Sequence, residues 1–312
     1  MKKKLIVLVI ILFLFGCNEK KDEKTVLNIY SLKGPTTIGL AKLINDDSQF
    51  YNFNIETAID SIVAALSNGE CDIACLPANV ASNLYNKTKD YTVLCINTLS
   101  VLYLVENNNQ INSFEDLKGK TILLTGKGAT PEYAIRHLLN QYGLENDVTL
   151  EFASEATEIV SILSNNSSYV GLLPQPFVMV ALNKNPDLRI CLDLNEVWNE
   201  VSSDSSLITG VTIVRNEILA KYEKQIRQFL AEYKNSVNYV NSNLSEAGKW
   251  IKELGIIENE QIATAAIPYC NIVYIDSEEM RSKLQGYLST LLEFNPASIG
   301  NSLPDDNFYY LP

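Results

Sequence analysis

Lys33-Gly34-Pro35-Thr36 and Lys127-Gly128-Ala129-Thr130 stand 94 residues apart, and each follows a strand-like run and opens a helical one. Leu66-Ser67-Asn68 precedes Leu76-Pro77 with an apolar run between them, and Leu163-Ser164-Asn165 precedes Leu173-Pro174 at the same internal spacing, 97 residues on. Two matched pairs, in the same order and at nearly the same offset, mark an internal repeat. Working outward, strand patterns fall at 26–30, 53–56, 72–76 and 92–96, with helix patterns at 36–44, 61–66 and 79–85 between them. An apolar run at 101–105 leads into a second cycle. It has strands at 121–125, 148–152, 170–173 and 188–192, and helices at 131–142, 156–163 and 177–182. A return strand is expected at 208–214, then helices only (216–242, 245–254, 258–266 and 277–292) and an irregular tail from 295.

Strands alternating with helices predict mostly parallel sheets flanked by helices, an α/β class. The repeat makes this two lobes of one topology around a cleft. A first segment of about 80 residues buries too little surface alone, so the C-terminal helices are assigned to it. Lobe 1 is then 26–104 plus 209–312 and lobe 2 is 105–208, linked through about 104–110 and 203–210.

The N-terminus has its own logic. Met1 to Lys4 is basic, Leu5 to Phe15 is an unbroken apolar run, and Gly16-Cys17 precedes the polar stretch Asn18 to Thr25. Eleven apolar residues are too few for a membrane span, which needs about 20; the order is that of a signal peptide. Leu14-Phe15-Gly16-Cys17 resembles the bacterial lipobox. Residues 1–16 are therefore expected to be removed, Cys17 to be lipidated, and 17–25 to act as a linker on the extracytoplasmic face of the cell membrane. Membrane contact is expected through this anchor only.

The formal charge is −12. Loss of Lys2, Lys3 and Lys4 leaves 22 basic against 37 acidic residues, near −15. Such a surface repels phosphate backbones, so nucleic acid is excluded as a partner. Cys71, Cys75, Cys95, Cys191 and Cys270 remain beyond Cys17, an odd number in an oxidising compartment. Most are expected to be buried free thiols acting as small hydrophobes. With His137 the single histidine and no second cysteine cluster, no metal site is expected.

In open α/β sheets ligands bind beyond the carboxyl ends of the strands. The repeat puts four strand-to-helix turns there, and the candidate ligand contacts are Gly34, Pro35, Thr36, Thr37, Pro77, Asn79, Gly128, Ala129, Thr130 and Gln175. Glycines let the backbone approach a bound molecule, threonines supply hydroxyls, and helix starts supply free N–H groups. Gly-Pro-Thr and Ala-Thr-Pro are also what a helix start requires for capping. Asn79 and Gln175 can equally be caps or cleft residues. Tyr103, Tyr133, Phe177 and Trp198 are core or ligand-stacking aromatics, and Lys33 and Lys127 are read as solvated. Catalysis finds no support: there is no Gly-x-Ser-x-Gly elbow, no complete Gly-x-Gly-x-x-Gly and no carboxylate or histidine cluster. No cofactor is expected, and the chain is not read as an enzyme.

With these segments in place, the chain resembles the SsuA/THI5-like (NMT1-type) solute-binding lipoproteins of ABC transporters. The resemblance rests on Lys33 to Gly39, Cys71-Asp72-Ile73-Ala74-Cys75-Leu76-Pro77-Ala78-Asn79, Asp116-Leu117-Lys118-Gly119-Lys120-Thr121, Gly126 to Tyr133 and Leu173-Pro174-Gln175-Pro176-Phe177, with the lipobox at Cys17. It implies the type II periplasmic-binding fold and uptake of a small polar molecule: a sulfonate, a nitrate-like anion or a pyrimidine-type nutrient. It also implies hinge closure on the ligand, a monomer, and an ABC permease with its ATPase as partners. Relatives often carry Pro-Glu-Pro where this chain has Pro174-Gln175-Pro176, which removes an acidic contact to a cationic ligand. The same resemblance leaves open a ligand sensor without transport, and an enzyme of the thiamine-pyrimidine or menaquinone pathway type on the same fold. A surface adhesion lipoprotein is a third alternative, one that would not need a repeated cleft.

Overall fold

Short apolar runs form the strands of the computed structural model, which describes residues 26–312 apart from Ser167 and Ser203. The expected signal peptide, Cys17 and the linker to residue 25 lie outside the described residues. The strands are β1 Leu27–Leu32, β2 Tyr51–Glu56, β3 Ile73–Pro77, β4 Tyr91–Leu99, β5 Leu102–Glu106, β6 Thr121–Leu124, β7 Thr149–Phe152, β8 Tyr169–Pro174, β9 Arg189–Asp193, β10 Ile208–Arg215 and β11 Ile272–Ile275. Between and after them run the helices α1 Pro35–Ile38, α2 Ala41–Asn45, α3 Ile59–Ser67, α4 Ala78–Thr88, α5 Thr130–Gln141, α6 Ala156–Asn165, α7 Phe177–Lys184, α8 Leu194–Val201, α9 Asn216–Ser242, α10 Leu244–Glu253, α11 Glu260–Ala266 and α12 Ser277–Phe294.

The strands make two sheets, ordered β11-β4-β10-β3-β1-β2 and β7-β6-β8-β5-β9. In the first, β1 lies parallel between β2 and β3, and β10 runs antiparallel between β3 and β4. In the second, β6 lies parallel between β7 and β8, and β5 runs antiparallel between β8 and β9. The order β4-β10-β3-β1-β2 matches β9-β5-β8-β6-β7, which is the repeat seen in the sequence, and β11 adds a sixth strand to the first sheet. Helices cover both faces of each sheet, so β4 and β5 are buried almost throughout.

Each sheet takes its antiparallel strand from the other half of the chain. β5 follows the first cycle and pairs along its length in the second sheet, whereas β10 follows the second cycle and returns to the first. The chain therefore crosses at Ser100-Val101 and again between α8 and β10. The expected lobe boundaries at 104/105 and 208/209 fall inside β5 and β10. A paired strand moves with its sheet, so the crossings lie just outside those strands rather than at 104–110. At the far end of β5, the fully buried Glu106 pairs with Arg189 and accepts from the N–H groups of Gln110 and Ile111, both at 3.1 Å.

Other expectations are corrected by side-chain contacts. The helix expected over 36–44 is two helices, because Ser236 of α9 enters the backbone ladder between them. Its hydroxyl donates to the Gly39 carbonyl (2.7 Å) and accepts from the Leu43 N–H (3.2 Å), replacing the direct bond. The region after 214 is not helical only: β11 pairs with β4 at the sheet edge. The tail is tied down as well, since Tyr309 bridges to Val93 and the Tyr310 N–H donates to the Val93 carbonyl (2.9 Å). Helix α8 was also absent from the sequence reading.

All five described cysteines are free, and four are fully buried. Burial pushes the Cys191 and Cys270 thiols up to about 12. Cys75 and Cys95 flank Thr212 on opposite neighbouring strands. Two strand spacings are about 9–10 Å, beyond the ~7 Å Cα reach of a disulfide. A chain beginning after Cys17, denatured without reductant, should therefore titrate five thiols with a chromogenic disulfide reagent; three or one would show a bridge, against the five free cysteines found here.

Candidate functional site

The crossing at Ser100-Val101 fixes how the two sheets meet. β4 ends at Leu99 beside the carboxyl end of β3, where Gly210 pairs with Pro77. After two intervening residues β5 begins at the carboxyl end of β8, with Leu102 opposite Pro174. The carboxyl ends of both parallel sets are thus joined by a two-residue link, and the turns leaving β1, β3, β6 and β8 lie along facing edges. The Gln175 N–H donates to the Val101 carbonyl (2.9 Å), which fastens the β8 turn to the link itself. The turns after β3 and β8 start at this seam, and those after β1 and β6 leave the neighbouring parallel strands of the same two sheets.

On the first lobe, Gly34 has φ 140, a backbone shape that side chains rarely adopt, and a Cβ there would meet nothing within 4 Å. Pro35 opens α1. The Thr36 hydroxyl donates to the Leu32 carbonyl (2.8 Å), so only its lone pairs remain for a guest. Thr37 is fully buried, and its hydroxyl is bonded to the Leu32 carbonyl (2.7 Å) and to the Ser31 hydroxyl (3.0 Å). Thr37 braces the turn from beneath and is withdrawn as a contact. A Cβ at Gly210 would lie 2.4 Å from Thr36 Cγ2 and 2.5 Å from Asn97 Oδ1, so the bare β10 backbone is what lets Thr36 sit down. Pro77 and Asn79 begin α4, both half-buried, and no side chain caps that helix.

On the second lobe, Gly128 and Ala129 are exposed and Thr130 half-buried at the start of α5. The Gly128 N–H already donates to Glu132 Oε2 (2.7 Å), and its carbonyl accepts from the Tyr133 hydroxyl. Burial alone would raise the Glu132 carboxyl, but the Gly128 N–H and the Arg136 guanidinium hold it below its usual range. The Ala129 N–H in turn donates to the Gly126 carbonyl (2.9 Å), so the open amides of this turn are those beyond Ala129, in the first turn of α5.

Gln175 differs from the rest. It is 3% exposed, yet neither its amide nitrogen nor its amide oxygen has a hydrogen-bond partner. Leaving such a group unmatched costs about 1–3 kcal/mol, so a donor-and-acceptor pair from outside the chain is the natural complement. Around the link, the sequence offers Tyr103 as an aromatic only and does not point to Tyr269, Asn271 or Asp193. The Tyr103 hydroxyl donates to the Tyr269 carbonyl (2.8 Å) across the lobe boundary, and Asn271 Nδ2 donates to the Ser100 carbonyl of the link (2.6 Å). Asp193 ends β9 opposite Tyr103; burial pushes its carboxyl up, against the Asn195 N–H at 2.7 Å. Tyr103 and Trp198 are core residues, and Lys33 and Lys127 are exposed as expected. His137 is half-buried against Trp198 (ring centroids 4.5 Å), and burial lowers its pKa. Among the described residues no His, Cys, Asp and Glu group could hold a metal ion, and no helix is long and apolar enough to cross a membrane. Surface troughs of about 430 Å³ beside Lys42 and Glu232, and about 410 Å³ beside Arg215 and Asp90, contain none of the four turns.

Residues 49–264, more than half of the chain, match the family described as ABC transporter, phosphonate, periplasmic substrate-binding protein. No curated protein matches. Among solved structures, an ABC transporter protein from Parabacteroides distasonis is 26% identical with a TM-score of 0.78, over 92% of this chain and 99% of that one. The periplasmic aliphatic sulphonate binding protein SsuA from Escherichia coli is 15% identical with a TM-score of 0.71, over 92% of each chain. The alkanesulfonate-binding protein SsuA from Xanthomonas axonopodis, bound to MOPS, is 13% identical with a TM-score of 0.59, over 90% and 95%. The matching family is thus the phosphonate-type one, and the SsuA likeness holds at the level of fold.

Replacing Gln175 by Met keeps the volume and removes the orphaned amide. The melting temperature of the unliganded Gln175→Met protein should rise by at least about 2 °C. A fall would mean that the amide is matched within the chain.

Proposed function

Because the chain belongs to the phosphonate-type periplasmic substrate-binding family of ABC transporters, we propose that it captures a small organic oxyanion between its lobes and presents it to a permease. The single observation that carries the proposal is Gln175: a buried amide with two empty hydrogen-bonding valences, bonded through its backbone to the link between the sheets. Support comes from α4 and α5, whose first turns face the seam with no side-chain cap. Uncapped N–H groups at the positive end of a helix suit a sulfonate or phosphonate oxygen. Thr36 and Thr130 frame the two turns, and Lys33 and Lys127 beside them supply exposed positive charge in an otherwise acidic protein. The family and the SsuA-like neighbours favour this end of the expected ligand range over nitrate or a pyrimidine.

Closure follows from differential affinity. The ligand stabilises the closed arrangement only by the contacts it makes better there, and a micromolar complex needs about −8 kcal/mol. The Gln175 amide contributes twice, by the bonds it gains and by the desolvation it no longer carries. The protein binds and releases its ligand unchanged. It is held at the extracytoplasmic face through lipidated Cys17, as a monomer, with a permease and ATPase as its partners.

Two measurements test this. A thermal-shift panel of alkylsulfonates, alkylphosphonates, nitrate and pyrimidines should show stabilisation by one oxyanion class, lost in Gln175→Met. No shift with any member, or an equal shift in Gln175→Met, sinks the assignment. Separately, wild-type protein made in a bacterial host should partition into detergent, whereas Cys17→Ser should move to the aqueous phase. Identical partitioning would remove the anchor.

A further inference from the structure

The turn at Gly126 to Thr130 belongs to the second lobe, but much of what holds it comes from the first. Helix α12 packs on β4 and α4 of the first lobe and extends to α5 of the second. Near its middle, the fully buried Tyr287 hydroxyl meets the Thr130 side chain, and its ring lies edge-on to Trp198 of α8. At its end, Phe294 stacks on Tyr133 (ring centroids 6.3 Å, planes 21° apart). Asn295, the next residue, donates from Nδ2 to the Tyr133 hydroxyl (2.8 Å), and that hydroxyl in turn donates to the Gly128 carbonyl. A relay therefore runs from the first lobe through one phenol into the backbone of the turn, and a second contact ends on Thr130.

We infer that Tyr133, Tyr287 and Asn295 are positioning residues: they hold the Gly126–Thr130 turn in its ligand-ready shape only while the lobes are together. This rests on the proposed role of that turn in binding. The physical basis is that Gly126 and Gly128 have φ of 78 and 74, so the turn has little intrinsic preference for one shape. Its order comes from its own Ala129 N–H to Gly126 carbonyl bond (2.9 Å) and the Glu132 carboxylate within the second lobe, and from α12 across the seam. Opening the lobes removes the second set and leaves the first. Ligand affinity and lobe position are then coupled through residues that need not touch the ligand.

The test uses the unliganded protein, so that it stands apart from the ligand screen. Amide hydrogen exchange at residues 127–133 should quicken roughly 2- to 10-fold in Tyr133→Phe and in Asn295→Ala, the loss of one or two hydrogen bonds. Exchange in α3, remote from the seam, should stay at the wild-type rate. The radius of gyration from small-angle X-ray scattering should rise in both variants. Unchanged exchange at 127–133 in the two variants overturns the inference while leaving the binding site intact. Faster exchange spread equally over α3 also overturns it, since that marks general destabilisation. If Tyr133→Phe fails to fold, Asn295→Ala, which leaves the aromatic stack in place, decides alone.

Discussion

The reciprocal gift of one strand between the halves is the constraint from which the rest of the molecule follows. β10 cannot pair with β3 and β4 unless the chain returns from the second lobe, and β5 cannot reach β8 and β9 unless it leaves the first. Antiparallel strands enter a parallel set at its carboxyl end, so both crossings sit at the same edge. Nothing else is needed to make the helix-opening turns of the two halves face one another. The proposed groove there would be a topological result rather than a matter of loop design, with the apolar cores behind it keeping the sheets rigid.

At that edge local stability is given up in several places. Gln175 keeps an amide out of water with no partner, a cost a protein selected only for stability would shed. Gly210 likewise sacrifices a side chain in a buried strand so that Thr36 can occupy the space. Tyr103, Asn271 and Asp193 gather polar groups beside the link, where an apolar cluster would be simpler. Local penalties concentrated at one edge, with the sheets behind it well packed, are the pattern expected where structure has been yielded to a ligand.

How much of this was legible in the sequence depended on range. The repeat, the α/β class and the four turns were readable because each is a local pattern recurring at a fixed offset. The splitting of the first helix was not, since Ser236 enters the ladder from almost two hundred residues away. β11 is four residues long and its pairing with β4 has no signature of its own. The lobe boundary was misplaced by a few residues because an apolar strand does not say which sheet will take it. Gly128 and Thr37 were chosen for their residue types, but their polar groups proved to be engaged by Glu132, Leu32 and Ser31. In the sequence Gln175 reads equally as a cap or as a cleft residue, and only burial separates the two roles.

The order in which the strands occur along the chain also sets a timetable. The second sheet is drawn from one uninterrupted stretch, 102–193, and every partner it needs has emerged once that stretch has. The first sheet begins earlier but waits for β10, β11 and the bridge at Tyr309, three residues from the end. On a ribosome or at the exit of a translocation channel, the middle of the protein can therefore become native while the beginning is still an unfinished layer with unpaired edges. The last residues to arrive close the part that started first.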